Sequence, residues 1–271
     1  MRSITSLPVK FRVGLCALNA VIRLRQREHG RKISARSARD RTSLSEIKLV
    51  VCDIAGTTVR DSGQVVTAFA DTLRKYGLEF TADQLSRVRG SSKREALLKF
   101  IPAGPDRDRF AEEVYVSFRD RLAHIYKTDG VEPIDGAENV IRELRARGVS
   151  VALNTGFDRE ITDLLLRSLK WEDRVDAVVC GDDVLQGRPA PYLIFHAMEL
   201  TGTINANDVM NVGDTVVDLE AGYNARVRSN VGVLSGAHDR ETLEQAPHTH
   251  ILPSIARLPV LLDQTCKLEK S

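Results

Sequence analysis

Six short apolar runs, rich in β-branched residues and each closed by a turn, set the rhythm of the chain from residue 46 onward. They are IKLVVCDI (47–54), VSVALNT (149–155), VDAVVCG (175–181), DVMNVGD (208–214), NVGVLSG (230–236) and HTHIL (248–252). Such runs read as buried strands. Between them lie stretches with helical periodicity, such as AENVIRELRARG (137–148) and REITDLLLRSLKW (159–171). Strand-helix alternation predicts an α/β fold: a Rossmann-like parallel sheet with helices on both faces. Ligands bind such folds at the carboxyl ends of the strands.

Residues 62–132 break this rhythm. GQVVTAFADTLRKYG, TADQLSRVRG, SSKREALLKFI and RDRFAEEVYVSFRDRLAHIYKT read as successive helices with no strand between them. A helical block inserted after the first strand predicts an all-helical cap domain over 62–132, on a core formed by 46–61 and 133–271. The links near Asp61–Gly63 and Glu132–Gly136 are its expected hinges. The first cap helix also offers a surface through which two copies of the chain could pair as a homodimer.

Charge separates the first 45 residues from the rest. Residues 1–40 hold ten Lys and Arg against Glu28 and Asp40, a balance of +8, which leaves −6 for residues 41–271 out of the overall +2. Phe11, Leu15, Leu18 and Ile22 recur at helical spacing within this basic, acid-poor segment, as in a mitochondrial transit peptide. A disordered basic tail gives the same composition, so the expected location is cytoplasmic, or mitochondrial if the segment acts as a leader. A mildly acidic body argues against nucleic acid as a partner, and no apolar stretch is long enough to span a membrane. The four cysteines (Cys16, Cys52, Cys180, Cys266) are too scattered for a metal motif, and Cys52 and Cys180 read as buried strand residues.

The strand ends carry the candidate chemistry. Asp53, Gly56 and Thr57 follow the first run, and Thr155 and Gly156 the second. Arg188 lies in GDDVLQGRPAP, and VGDTVVD supplies Asp214 and Asp218. A carboxylate attacking phosphorus needs a divalent cation beside it, because two anions must meet. Mg²⁺ suits that task as a hard, oxygen-seeking ion. Asp53, the Ala55 carbonyl and Asp214 could ligate it, and Asp218 could orient the ligands. Thr57, Thr155, Gly156 and Arg188 could hold a phosphoryl group. Each signal has a plain alternative reading, such as a helix-capping Asp or a simple turn. Their order on successive strand ends is what carries weight.

The set DIAGTT, NTG, GRPAP and VGDTVVD resembles the haloacid dehalogenase superfamily over roughly residues 46–265. The resemblance implies a Mg²⁺-dependent hydrolase of a small phosphorylated or phosphonate substrate, with an aspartyl-phosphate formed on Asp53. It further implies Thr155 and Arg188 on the phosphate, and Asp53, the Ala55 carbonyl, Asp214 and Asp218 around the metal. Most phosphatases of that superfamily have an acid where this chain has Ala55. Losing that acid forfeits about 10²–10⁴ in rate for an alkyl ester.

The DxAGTT form with Arg in the third motif is similar to the phosphonatase (phosphonoacetaldehyde hydrolase-like) branch. There the bond broken is C–P, and a cap lysine forms a Schiff base that accepts the electrons. Lys93 in RGSSKREALLKF stands three residues after Gly90, matching that branch's Gly-x-x-Lys. Ser92 and Glu95 fit an S-x-x-E capping box, which puts Lys93 at the first position of a helix. The helix dipole, with Arg89 and Arg94, is expected to lower its pKa. Lys93 as a substrate-binding or surface cation is the competing reading. The branch usually has Met, His and Tyr where this chain has Arg89, Ala96 and Phe157, which leaves the substrate open. A phosphate monoester phosphatase on the same fold and a non-catalytic phosphate-ligand-binding protein are the alternatives. Ala55→Asp should quicken the former and leave a C–P hydrolase nearly unchanged.

Overall fold

The computed structural model describes residues 47–268, with side chains through Asp263. The reading of the N-terminal segment as a leader or tail lies outside the described residues. Six parallel strands form one sheet: β1 (Leu49–Asp53), β2 (Ser150–Asn154), β3 (Ala177–Val179), β4 (Val209–Gly213), β5 (Ser229–Val233) and β6 (His250–Leu252), in the spatial order β3-β2-β1-β4-β5-β6. Every apolar run of the sequence supplies one of them. The order reverses between β1 and β4, the position at which a doubly wound sheet opens a crevice at its carboxyl edge.

β1 lies between β2 and β4, with Asp53 in register with Asn154 and Cys52 facing Val212. Burial on both faces explains its unbroken apolar sequence. Val50 and Cys52 join a core with Val151, Leu153, Met210 and Val212. Leu49 and Val51 face the other way, towards Leu193, Ile194 and Ala197 of the helix Tyr192–Thr201. Cys52 and Cys180 are buried free thiols, as expected of strand packing.

Between β1 and β2 the chain forms α1 (Gln64–Lys75), α2 (Ala82–Arg87), α3 (Lys93–Leu98) and α4 (Arg107–Asp129), followed by α5 (Ala137–Ala146). α1 packs along α4, with Phe69 edge-on to Phe118 at 5.6 Å and to Phe100 at 5.8 Å. The outgoing and returning links lie side by side: Arg60 N–H donates to the Glu132 carbonyl at 2.9 Å, and Ile134 N–H to the Thr58 carbonyl at 2.9 Å. The helical insertion therefore leaves and rejoins the sheet at one place, just beyond Asp53.

After β2 come α6 (Arg159–Leu169), then α7 (Tyr192–Thr201) between β3 and β4, α8 (Val216–Asn224) after β4, α9 (Arg240–Glu244) and α10 (Leu258–Leu268). Among the described residues no helix is long and apolar enough to cross a membrane.

Candidate active site

Strand direction brings the motif residues together. Asp53 ends β1, Asp214 follows β4 directly, and Asp218 sits in the first turn of α8. All three are buried, and one carboxylate oxygen of each lies within 4.8 Å of the others. Arg188, itself 3% exposed, reaches in from the segment between β3 and α7. Its Nη1 donates to Asp53 Oδ1 at 2.8 Å and also to Asp218 Oδ1. Asp218 Oδ2 accepts from the N–H of Thr215 at 3.0 Å and from its hydroxyl, closing a capping box on α8. The VGDTVVD pattern thus does two things at once: it caps a helix and holds Asp218 towards the cluster.

Asp214 is fixed from two sides. Thr57 Oγ1 donates to its Oδ1 at 3.0 Å, and the Ala237 N–H to its Oδ2 at 2.6 Å. Thr57 therefore meets the cluster through Asp214. Ala237, beyond β5, is a contributor that the sequence reading missed; the small-residue turn ending NVGVLSG was its only signal. Burial, and then the charge of Asp53, push the Asp214 carboxyl up to about 7. Three buried acids beside one guanidinium call for further positive charge. An all-oxygen carboxylate donor set suits a hard divalent cation, so these residues fit Mg²⁺.

The insertion closes the other side of the site. A cavity of about 60 Å³ is lined by Asp53, Ala55, Thr155, Arg188 and Asp214 from the sheet edge, and by Asp61, Arg89, Gly90 and Lys93 from the helical side. Ala55 thus lines the same cavity as Asp53 without any acidic side chain. The loop before α3 approaches too closely for side chains at two positions. Gly90, at φ +73°, would put a Cβ 2.4 Å from Thr215 Oγ1, and a Cβ on Gly156 would lie 2.7 Å from the Ser91 carbonyl oxygen. The Thr155 hydroxyl accepts from the Phe157 N–H at 3.1 Å, which shapes the turn containing Gly156.

Lys93 opens α3, as the sequence predicts, and is 8% exposed. Its Nζ donates to the Ser91 carbonyl at 3.0 Å and stands 5.6 Å from the centre of the Phe157 ring. Its pKa falls to about 8, as expected, but for a different reason. Burial is the main cause and Arg188 the second, opposed by Asp53, Asp61 and Asp214. Arg94 is instead paired with Glu112 and lies over the Tyr115 ring, while Arg89 Nη1 donates to the Ala237 carbonyl at 3.3 Å. The capping box also gives way. Ser92 makes no side-chain capping bond, and Glu95 Oε1 accepts from the Gly187 N–H at 3.3 Å. The glutamate joins α3 to the segment that carries Arg188, because closure brings a backbone donor within its reach.

Sequence comparison agrees with this geometry. The profile described as haloacid dehalogenase-like hydrolase matches residues 50–231. A phosphonoacetaldehyde hydrolase of Bacillus cereus is 31% identical over 227 residues, 75% of this chain and 82% of that protein. One from Bacteroides fragilis is 28% identical over 225 residues, 78% of this chain and 84% of its own length. The crystal structure of a phosphonoacetaldehyde hydrolase-like protein from Oleispira antarctica superposes with a TM-score of 0.72 at 21% identity, covering 85% of this chain and 97% of that one. The chain belongs to the haloacid dehalogenase-like hydrolases.

Proposed function

We propose that this hydrolase is a Mg²⁺-dependent phosphonatase that cleaves the C–P bond of phosphonoacetaldehyde or a related phosphonate, with residues 62–132 as its cap. The observation that carries this reading is the placement of Lys93. A buried amine with a pKa near 8 lines the same cavity as Asp53, where Ala55 offers no acid. The relatives named phosphonoacetaldehyde hydrolase support the same assignment.

Lys93 Nζ, as the free amine, adds to the substrate carbonyl; water leaves and a protonated imine remains. Asp53 then attacks phosphorus. The C–P electron pair moves into the new C=C bond and neutralises the iminium nitrogen, leaving an enamine and phospho-Asp53. Protonation of the enamine carbon and hydrolysis of the imine release acetaldehyde and restore Lys93. A second water frees phosphate from Asp53. The metal, held by Asp53, Asp214 and the Ala55 carbonyl with Asp218 beside them, offsets phosphoryl charge when bound. Thr155, Gly156 and Arg188 bind the phosphoryl oxygens, and Thr57 steadies Asp214. Asp61 lines the same cavity outside the metal cluster. The cap excludes water while these steps proceed.

The test uses the purified protein with Mg²⁺ and phosphonoacetaldehyde, following phosphate and acetaldehyde together. Equal yields of both, lost in Lys93→Arg, are expected. Cleavage of aryl phosphates without any C–P cleavage would make the protein a phosphate monoester hydrolase and Lys93 a binding residue. Tight Mg²⁺-dependent binding of a metal fluoride with no turnover of either substrate class would leave a phosphate-ligand-binding protein.

A further inference from the structure

Arg89 has no role in the chemistry described above, yet it lines the reaction cavity with Lys93. Among the described residues no carboxylate pairs with it. Its Nη1 meets only the Ala237 carbonyl, at 3.3 Å, and its Nε is buried without an acceptor. The other charges of the cavity have partners. Arg188 is held by Asp53 and Asp218, Asp214 by Thr57 and Ala237, and Asp61 Oδ1 accepts from the N–H groups of Gly63 and Val65. A guanidinium whose buried Nε has no acceptor is unfavourable unless a group arrives to meet it. A phosphoryl group on Asp53 and Arg188 is claimed at the sheet edge, so the anion for Arg89 must be a second one.

Resting on the phosphonatase reading, we infer that Arg89 binds a carboxylate next to the substrate carbonyl, so that the preferred substrate is a 3-phosphono-2-oxo acid rather than an aldehyde. Three groups of such a molecule find three counterparts. Its phosphonate meets Asp53 and Arg188, its ketone carbon meets Lys93 Nζ, and its carboxylate meets the guanidinium four residues earlier on the same loop. An aldehyde has only hydrogen at that last position and leaves Arg89 unmatched. A site built around a charged partner discriminates strongly against a substrate lacking it.

The electron flow is unchanged. Lys93 condenses with the ketone and expels water, and phosphoryl transfer to Asp53 leaves the C–P pair in an enamine. Protonation and hydrolysis then release a 2-oxo acid with a methyl group where phosphorus had been. With hydrolysis of phospho-Asp53, the sum is substrate plus one water giving pyruvate plus phosphate.

The experiment compares kcat/KM for phosphonopyruvate and phosphonoacetaldehyde in the wild type, Arg89→Met and Arg89→Lys, with Mg²⁺. Cyanoborohydride trapping of Lys93 by pyruvate or acetaldehyde, read by mass, adds a measurement that needs no phosphoryl transfer. The wild type should prefer the oxo acid by about tenfold or more. Arg89→Met should lose that preference, chiefly through KM, and Arg89→Lys should keep part of it. Pyruvate should trap Lys93 more readily than acetaldehyde in the wild type only. A wild type that prefers the aldehyde overturns the inference but leaves the phosphonatase reading standing. So does an Arg89→Met that slows both substrates equally, since Arg89 would then only latch the loop to Ala237. Release of phosphate from neither phosphonate, with aryl phosphates cleaved, removes the phosphonatase reading and this inference with it.

Discussion

The two walls of the cavity are built on opposite principles. At the sheet edge every charged group is paired: Arg188 with Asp53 and Asp218, Asp214 with Thr57 and the Ala237 N–H. On the helical side Asp61 is held by backbone N–H groups, but the two cations lack a charged partner: Lys93 has only a backbone carbonyl, and Arg89 has a carbonyl and a bare Nε. Paired groups are preorganised and hold their geometry without substrate, which suits phosphoryl transfer. Unpaired ones wait for a group the substrate must bring. The contrast assigns reaction type to the strand ends and substrate choice to the loop before α3.

Breaking the paired wall should have the largest effect. Asp53→Asn keeps the shape of the side chain but removes the carboxylate proposed as nucleophile. Phosphate release should fall by about 10⁴ or more. The same variant should still form the Lys93 imine, read by cyanoborohydride trapping and mass, because that step belongs to the other wall. Loss of both activities together would show that the walls act as one unit.

Burying Lys93 carries a stability cost. Its folded pKa is about 8 against 10.5 for the ordinary side chain, so between those values the unfolded chain holds a proton that the folded one lacks. Stability therefore rises with pH across that window, while below pH 8 both states are charged and the whole burial penalty applies. The shift corresponds to about 3 kcal/mol. Lys93→Met should accordingly be more stable than the wild type at pH 7, with Tm higher by about 2–4 °C per kcal/mol. The gain should vanish towards pH 10.5. C–P cleavage by the wild type should climb with pH and level off above about 8, where the amine is free. A Met variant no more stable at pH 7 would mean that Lys93 is not buried in solution.

What was legible in the sequence follows the same division. The central strands announce themselves, because a strand buried on both faces such as β1 or β4 must be an apolar run. The edge strand β6 is only partly buried and shows only as the short HTHIL. Asp53, Thr155 and Asp214 lie at the ends of buried runs. Strand direction alone then gathers them. The helical insertion is equally plain, since four amphipathic segments follow one another without a strand signal. The contacts of the loop before α3 and of α3 itself were illegible for a physical reason: they join segments remote in the chain. Glu95 bonds a backbone N–H 92 residues away, and Arg89 a carbonyl 148 residues away. Local patterns even mislead there. S-x-x-E promises a capping box, but closure offers the glutamate a better-placed donor. The lowered pKa of Lys93 was anticipated from neighbouring arginines, whereas it comes from burial and from Arg188.

The smallest expected effect tests the capping-box reading against the observed Glu95–Gly187 contact. In a capping box, Ser92 and Glu95 stabilise α3 together, and replacing either by Ala costs about 0.5–2 kcal/mol of helix stability. In the structure Ser92 makes no side-chain bond at the helix start, while Glu95 spans to Gly187, next to Arg188. Ser92→Ala should then leave both Tm and KM nearly unchanged. Glu95→Ala should loosen the closed arrangement and raise KM by a factor of about 3–10, the worth of one partly exposed hydrogen bond to a charged acceptor. Its effect on kcat should be slight once substrate saturates the site, because Arg188 keeps its own ion pairs with Asp53 and Asp218. Glu95→Gln retains an acceptor oxygen and should fall between the two. Equal losses of Tm in Ser92→Ala and Glu95→Ala, with KM unmoved, would restore the local capping box and confine the glutamate to its own helix. A KM effect from Glu95 alone ties substrate affinity to how firmly α3 is held to the segment that carries Arg188.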